Sequence, residues 1–170
     1  MKVHTKHEES APAVSVGCAL ITTTDSRDES QDVSGSVAKS ILEGAGHRIV
    51  FYDLVPNDRE KIRSLVGSLL SRDDVRLIVT TGGTGLGTKD VTVDAVASLL
   101  DRTIEGFGIL FQMLSYEQVG SAGMLSRALG GVASGKLIFC LPGSPAAVEL
   151  ALERLIVPQI PHMIWELDRR

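Results

Sequence analysis

Residues 75–100 read VRLIVTTGGTGLGTKDVTVDAVASLL, an apolar run followed by a glycine-rich loop and a helical pattern. The apolar run predicts a buried strand, and the residues from Thr92 onward predict a helix. Residues 80–90 hold four glycines and four threonines, together with Lys89 and Asp90. Glycine reaches positive φ and lets the backbone approach a ligand, so such a loop can turn successive N–H groups toward an anion. The stretch therefore predicts a phosphate-binding turn between a strand and a helix.

The alternation of strands and helices extends toward the N-terminus. Residues 14–22 and 48–55 are apolar runs that predict two more strands. Apolar residues recur at helical spacing after Asp32 and again after Asp58, which stands as a possible N-cap. Such alternation indicates an α/β fold in three α/β/α layers, with a mostly parallel central sheet. Ligands of such sheets bind at the carboxyl ends of the strands, where the glycine loop lies.

A second strand-to-helix turn of small residues lies in KLIFCLPGSP, residues 136–145. Ser144 is in position to cap a helix whose first residue is Pro145. That helix is expected to end before Pro158, and the remaining residues to form a short helix or an extended segment. No helix or strand is assigned to residues 102–131.

The chain of 170 residues is 44% hydrophobic and 22% charged, which is the composition of an ordinary globular domain. One domain is predicted over residues 13–170, after a flexible tail at residues 1–12. The formal charge of −4 argues against a nucleic-acid partner, because phosphate backbones are bound mainly by lysine and arginine. The sequence has no signal-peptide pattern and no apolar run near the ~18 residues of a membrane span. A cytoplasmic protein without a membrane contact is predicted.

Two cysteines and two phenylalanines are expected to belong to the core. Cys18 and Cys140 lie in apolar runs that predict strands, and they show no C-x-x-C spacing. Neither a metal site nor a redox motif is therefore supported, and both thiols are expected to be reduced and buried. Phe107 and Phe111, four residues apart, are expected in the core rather than in a ligand site.

The glycine loop does not match the two common nucleotide-binding motifs. The spacing from Gly82 to Gly87 fits a P-loop, but Thr88 precedes Lys89 and no hydroxyl residue follows the lysine. A dinucleotide-binding turn would need a different glycine spacing and would follow the first strand. The loop can still present N–H groups and hydroxyls to an anion, and the carboxylate of Asp90 at its exit could hold a divalent metal.

Five motifs span nearly the whole chain beyond the tail, in the order QDVSG, TTGGTGLGTKDVTVDAV, GFG, LSRA and LPGSP. Together they resemble the MoaB/Mog family of molybdenum cofactor biosynthesis, and most closely its stand-alone MoaB type. The resemblance implies an α/β/α domain that assembles as a trimer or a pair of trimers. It also implies a molybdopterin adenylyltransferase reaction, in which the terminal phosphate of molybdopterin attacks the α-phosphate of ATP with Mg²⁺ and releases pyrophosphate. The product would then pass to a second protein for metal insertion.

The resemblance also implies the site residues. Catalysis falls on Asp58 and Asp90, with Asp90 as the metal ligand and Asp58 orienting metal-bound water or the nucleotide. The residues expected to bind the substrates are Asp32, Ser34, Gly82, Gly83, Thr84, Gly85, Lys89, Ser126, Gly143 and Ser144. No covalent enzyme intermediate is expected, since attack of one phosphate on another depends mainly on alignment and charge neutralisation.

Structural roles compete with these functional ones. Asp58 and Ser144 both fit ordinary N-caps. Either Asp90 or Thr92 could cap the helix that follows the glycine loop. Asp94, in the first turn of that helix, is expected to interact with the helix dipole rather than with a ligand.

The sequence departs from the family pattern after GFG. The family usually has Glu there and Arg three residues later, whereas this chain has Ile109 and Gln112. Losing both charges means either a vanished ion pair or altered substrate contacts. Two alternatives to the adenylyltransferase therefore stay open. One is a non-catalytic module that carries molybdopterin, and the other is the metal-insertion activity of related domains in larger chains.

The apolar segment VPQIPHMIWEL at residues 157–167 predicts a subunit contact. Ile160, Met163, Ile164 and Trp165 are many large apolar groups for the end of a small domain. A homo-oligomer, either a trimer or a hexamer, is expected.

Overall fold

The computed structural model describes residues 14–169, which form one six-stranded sheet with helices on both faces. The strands are β1 (Gly17–Thr23), β2 (Arg48–Val55), β3 (Leu77–Thr81), β4 (Arg102–Thr103), β5 (Leu129–Ala133) and β6 (Lys136–Leu141). The α-helices are α1 (Val33–Gly44), α2 (Arg59–Leu70), α3 (Thr92–Ala97), α4 (Glu105–Val119), α5 (Pro145–Ala151) and α6 (Ile160–Asp168). The tail predicted at residues 1–12 lies outside the described residues.

The sheet is mostly parallel, as predicted. Its strand order is β2-β1-β3-β6-β5-β4. The first four strands of that order pair in parallel, while β5 pairs antiparallel with both β6 and β4. The four parallel strands therefore end at one edge of the sheet, and the turns that follow them lie side by side.

Alternating side chains of β1 separate the two halves of the core. Cys18 and Leu20 pack on the face covered by α1, α5 and α6. Ala19 and Ile21 pack on the opposite face, which α2 and α3 cover. All four residues are buried, so the central strands are apolar on both faces and the predicted three-layer architecture is confirmed.

The longest described helix, α4, and two strands, β4 and β5, were not predicted from the sequence. The first turn of α4 contains Gly106 and Gly108, which are poor helix formers. The helix buries Phe107 and Phe111 but exposes Ile109, so its sequence lacks the pattern of one apolar and one polar face. β5 contains paired glycines, which normally weaken a strand. Here Gly130 is needed, because a Cβ would lie 2.8 Å from the ring of Phe139.

The C-terminal segment is helical, but its predicted role as a subunit contact is wrong for most of its apolar residues. After α5 the chain continues through a π-helical turn at Leu152–Ile156 and a 3-10 turn at Val157–Gln159 into α6. Ile160 and Ile164 are buried in the core of the same chain, and Met163 packs against it. Trp165 alone of the four named residues is exposed, at 49%. The segment closes the monomer core instead.

The expectation for the two cysteines is confirmed. Cys18 and Cys140 are free and buried, and burial raises the pKa of each thiol to about 12. A thiol with such a pKa stays protonated at neutral pH and is unreactive. Phe107 and Phe111 also lie in the core, as expected. No helix within residues 14–169 is long and apolar enough to cross a membrane.

Candidate active site

A cleft of about 590 Å³ opens at the carboxyl ends of the four parallel strands. The turns after β1, β2, β3 and β6 line it, together with the 3-10 turn that follows α4. The lining residues are Thr23, Thr24, Asp25, Ser26, Arg27, Asn57, Gly82, Gly83, Thr84, Gly85, Asp90, Ala122, Leu125, Ser126, Pro142 and Gly143. This is the edge of the sheet at which the sequence predicts a ligand.

The glycine loop begins with two residues in the left-handed region. Gly82 has φ of +89° and Gly83 has φ of +66°. A Cβ on Gly82 would lie 2.6 Å from the carbonyl oxygen of Thr23, and one on Gly83 would overlap the hydroxyl of Thr92. Both positions therefore require glycine on conformational and on steric grounds.

The rest of the loop curls around the carboxylate of Asp90. Its Oδ2 accepts a hydrogen bond of 2.9 Å from the backbone N–H of Gly87. A Cβ on Gly85 or Gly87 would approach the same oxygen to 2.7 or 2.8 Å. Oδ1 accepts no hydrogen bond from any residue that the structure describes. The loop thus holds one carboxylate oxygen and leaves the other available at the cleft.

Neither Asp90 nor Thr92 caps the following helix, so that expectation is wrong. The N-cap of α3 is Val91, and no side chain makes a capping hydrogen bond there. The hydroxyl of Thr92 instead donates to Thr23 Oγ1 at 3.2 Å, which joins the glycine loop to the end of β1. Without the capping role, the position of the Asp90 carboxylate has no helical explanation.

Ser126 lines the cleft beside the glycine loop, and its predicted role in substrate binding stays a prediction. Its hydroxyl is 3.3 Å from the hydroxyl of the buried Thr84. The two residues come from different segments, since Thr84 belongs to the glycine loop and Ser126 follows the 3-10 turn Gly120–Leu125. The cleft therefore places a hydroxyl pair beside the backbone of the loop.

Arg127 is the contact of the glycine loop that the sequence analysis missed. Its side chain donates to the carbonyl oxygens of Gly85, at 2.9 Å, and Asp90, at 2.5 Å. It also donates to both carboxylate oxygens of Asp94. Asp94 lies in the first turn of α3, as predicted, but it pairs with this arginine. The position of Arg127 inside the motif LSRA could have indicated a role at the site. Its hydrogen-bond partners could not be predicted from the sequence.

Asp58 does not line the cleft. Its Oδ1 accepts hydrogen bonds of 3.0 Å from the backbone N–H groups of Glu60 and Lys61, which makes it the N-cap of α2. The structural role considered for Asp58 is confirmed, and its catalytic role stays a prediction. The neighbouring Asn57 lines the cleft instead.

Asp32 and Ser34 lie behind the cleft wall rather than in its lining. The buried carboxylate of Asp32 accepts hydrogen bonds from the hydroxyls of Thr22, at 2.5 Å, and Tyr52, at 2.7 Å. Burial, followed by this bond to Asp32, raises the pKa of Tyr52. The hydroxyl of Ser34 donates to the carbonyl oxygen of Gly143 at 2.7 Å. The motif QDVSG therefore supports the turns that form the cleft.

Two charged residues of the turn after β1 line the cleft, although the sequence analysis did not select them. Asp25 and Arg27 both belong to that turn. The backbone N–H of Asn57 donates to Asp25 at 2.8 Å, and this hydrogen bond is the main cause that lowers the pKa of Asp25. Lys89 lies 3.6 Å from Asp25, and its side chain is 82% exposed. Lys89 therefore stands at the solvent side of the site.

The second turn of small residues divides between two cavities. Gly143 lines the main cleft, whereas Ser144 lines an adjoining cavity of about 170 Å³. Ser144 Oγ accepts a hydrogen bond of 3.3 Å from Ala147, which confirms the predicted N-cap of α5. Ser126 and Pro142 line both cavities, so the two spaces adjoin along the turn after β6.

The donor groups and carboxylates of the cleft suit an anionic ligand that is accompanied by a cation. Backbone N–H groups, hydroxyls and the side chain of Arg27 can contact phosphate oxygens. The carboxylates of Asp25 and Asp90 are hard oxygen ligands of the kind that Mg²⁺ prefers. The cleft lies at a helix-flanked sheet edge, where α/β proteins bind phosphorylated ligands.

Residues 13–162 match the family described as "Probable molybdopterin binding domain". The sequence is 44% identical to molybdenum cofactor biosynthesis protein B of Bacillus cereus over 167 residues, which cover 98% of each chain. The solved structures agree. A crystal structure of molybdenum cofactor biosynthesis protein B superposes with a TM-score of 0.90 and 43% identity, covering 93% of this chain and 99% of the other. The tungsten cofactor synthesizing protein MoaB of Pyrococcus furiosus gives a TM-score of 0.81 and 30% identity, with coverages of 90% and 97%.

Proposed function

The chain belongs to the MoaB/Mog family of molybdenum cofactor biosynthesis, and from this membership we propose that it transfers the adenylyl group of ATP to molybdopterin. A part in the biosynthesis of a molybdenum or tungsten cofactor follows from the family itself. One observation supports the specific reaction. The glycine loop, the carboxylate of Asp90 and the segment of Ser126 line a single cleft.

In the proposed reaction, an oxygen of the terminal phosphate of molybdopterin attacks the α-phosphorus of ATP. A new P–O bond forms to the α-phosphorus while its bond to the oxygen bridging the α- and β-phosphates breaks, and pyrophosphate leaves. Nucleophile and leaving group are both anionic, so the protein must mainly align them and neutralise charge. The N–H groups of residues 83–85 would bind phosphate oxygens, since that of Gly82 donates to the carbonyl oxygen of Leu141. Arg27 and Lys89 would add positive charge at the cleft and its mouth.

The residues of the cleft fit a magnesium ion. No group of three or more His, Cys, Asp or Glu side chains within residues 14–169 could hold a metal alone. Mg²⁺ usually binds through one or two carboxylates together with substrate phosphates, so this is the donor set expected for a metal that arrives with ATP. Asp90 would hold it through Oδ1, which the loop leaves unbonded among the described residues. When bound, the ion would neutralise negative charge on the phosphates.

The remaining predicted residues act as supports in this proposal. Ser126 would bind the pterin substrate beside the loop, where its hydroxyl contacts that of Thr84. Asp32 and Ser34 hold the ends of β1 and the turn after β6. Asp58 would act through the adjoining Asn57, since its own carboxylate is engaged by the start of α2.

A carrier without catalysis is the competing function, because Ile109 and Gln112 replace charged residues of the family pattern. Both side chains are on the exposed side of α4. They line a separate cavity of about 470 Å³, together with Met113 and Tyr116. The departure from the family pattern therefore lies away from the cleft of the same chain, which favours the enzyme over the carrier.

Pyrophosphate release from ATP with Mg²⁺ and purified molybdopterin tests the proposal. We expect release that requires molybdopterin and falls on the order of 100-fold or more in Asp90→Asn, because the variant loses the charge but keeps an oxygen for Gly87. Asp73→Asn is the matched control, since Asp73 is exposed at the opposite end of β3. Molybdopterin binding without any pyrophosphate would establish the carrier instead.

We also propose a cytoplasmic homo-oligomer, trimer or hexamer, that hands its product to a metal-insertion protein. The exposed apolar residues that could form its contacts lie around α4: Ile109, Leu110, Met113, Tyr116, Val119, Met124 and Leu125. Exposed large apolar side chains that are grouped together are typical of a subunit contact. Light scattering at micromolar concentration should give a multiple of the chain mass of 18.1 kDa, and a mass equal to it would contradict the oligomer.

A further inference from the structure

We infer that Arg127 is a positioning residue of the site. It holds the glycine loop in the conformation that aligns Asp90 with the substrates. The inference rests on the proposed function for its catalytic consequence and on the hydrogen bonds of Arg127 for its structural part. Nothing in the chemistry of phosphoryl attack requires this arginine to touch a substrate, and it does not belong to the cleft lining.

Each nitrogen of the guanidinium group reaches a different acceptor. Nε donates to Gly85 O at 2.9 Å, and Nη2 donates to Asp90 O at 2.5 Å. Nη1 donates to the two carboxylate oxygens of Asp94 at 3.1 and 3.0 Å. The loop is thereby bonded at its middle and at its exit to one planar group that is anchored on α3.

The backbone of the same segment completes the connection. The N–H of Arg127 donates to the carbonyl oxygen of Thr84 at 2.9 Å. The preceding residue, Ser126, places its hydroxyl 3.3 Å from that of Thr84. Two consecutive residues therefore contact Thr84, which joins their segment to the first part of the loop.

The loop needs such an external support because of its own composition. Gly82, Gly83, Gly85 and Gly87 leave residues 82–90 with more conformational freedom than other residue types would. Asp90 holds Gly87 from inside the loop, but the described contacts of Gly85 and of the Asp90 carbonyl come from Arg127. A shift of about 1 Å in a catalytic group can cost on the order of 100-fold in rate. The arginine would thus act on catalysis through Asp90.

Lysine cannot replace this arrangement, because its three N–H donors sit on one freely rotating nitrogen and cannot reach the three acceptors that Nε, Nη1 and Nη2 of the planar guanidinium reach. The test compares Arg127→Lys with Arg76→Lys as a matched control. Arg76 also pairs with a carboxylate, Asp168, at 2.7 Å, and its side chain is 32% exposed against 34% for Arg127. Arg76 makes that ion pair away from the glycine loop.

Three measurements are made on the full chain: the kcat and KM for ATP, amide hydrogen exchange of residues 82–90, and the midpoint of thermal unfolding. We expect Arg127→Lys to lower kcat on the order of 100-fold, to change KM less, and to speed exchange in the loop at least tenfold. Its unfolding midpoint should match that of Arg76→Lys, which keeps wild-type kcat and loop exchange. Asp94→Asn keeps the arginine but weakens its ion pair. Its kcat and its rate of loop exchange should lie between those of wild type and Arg127→Lys.

Wild-type exchange in the loop of Arg127→Lys would overturn the inference, and so would a kcat within twofold of wild type. If the wild-type protein releases no pyrophosphate, the proposed function fails but the exchange measurement still decides the role of Arg127. If Arg127→Lys loses kcat and also unfolds at a clearly lower temperature than Arg76→Lys, the role of Arg127 is merely structural, and the inference is overturned.

Discussion

The two strand-to-helix turns at the centre of the cleft are built in opposite ways. β3 and β6 are adjacent and parallel, and each is followed by small residues and a helix. The turn after β6 needs only residues 142–144, and Ser144 caps its helix through its own side chain. The turn after β3 needs residues 82–91, and its helix begins at Thr92, after the N-cap Val91, with no side-chain capping hydrogen bond.

The longer turn obtains its shape from other parts of the chain. Thr92 bonds to the end of β1, and Arg127 bonds to the middle of the loop. The shorter turn has its own cap and one described side-chain contact from a distant part of the chain, from the hydroxyl of Ser34 to the carbonyl oxygen of Gly143. A loop held from outside can surround a carboxylate such as Asp90, and the cost is dependence on distant residues. The comparison accounts for the position of the Asp90 carboxylate on the longer turn.

Gly82→Ala should break the longer turn and has the largest expected effect on stability. Its φ of +89° and a Cβ that would lie 2.6 Å from Thr23 O cannot be relieved by a side-chain movement. We expect a loss of about 3 kcal/mol in the free energy of unfolding, from backbone strain and overpacking together. Urea unfolding measures it.

The matched control is Gly143→Ala in the shorter turn. A Cβ on Gly143 would lie 3.3 Å from the Cα of Gly82, which is tight contact without a left-handed φ. The expected loss is about 1 kcal/mol, as for mild overpacking. Equal losses in the two glycine variants would show that the two turns do not differ in the way described.

Ser144→Ala tests the cap of the shorter turn and should have a smaller effect on the free energy of unfolding than Gly82→Ala. The variant removes the capping oxygen that Ala147 uses at 3.3 Å. We expect a loss of about 1 kcal/mol, equivalent to a shift of about 2–4 °C in Tm. The control, Ser68→Ala, removes an exposed hydroxyl of α2 and should change stability by less than about 0.5 kcal/mol. No difference between these variants in calorimetry would mean that the shorter turn does not depend on its cap.

The sequence predicted those parts of the molecule whose causes lie within a few neighbouring residues. The apolar run of β3, the caps Asp58 and Ser144, and the glycine turn after β3 could all be read locally. Helix α4 could not, because its glycines and its exposed apolar residues remove the periodic pattern. Packing of the whole chain decides that helix.

The candidate site divides along the same line. The glycine loop and Asp90 were selected from their spacing and from the family resemblance, and they line the cleft. Arg127 and Asp25 were not selected, because their partners Gly85 and Asn57 lie 42 and 32 positions away. A side chain that works through such distant contacts carries no local pattern. Asp32 was assigned to ligand binding from a motif, but its carboxylate is buried and bonds to Thr22, so its binding role stays a prediction.

The most direct test of the proposed adenylyl transfer follows the α-phosphate of ATP. The protein is incubated with Mg²⁺, molybdopterin and ATP labelled on either the α- or the γ-phosphorus, and the pterin product is isolated. Adenylyl transfer predicts label in the pterin from α-labelled ATP alone, with the γ label recovered in pyrophosphate. Label transferred from the γ position, or no label in the pterin with either nucleotide, would contradict it.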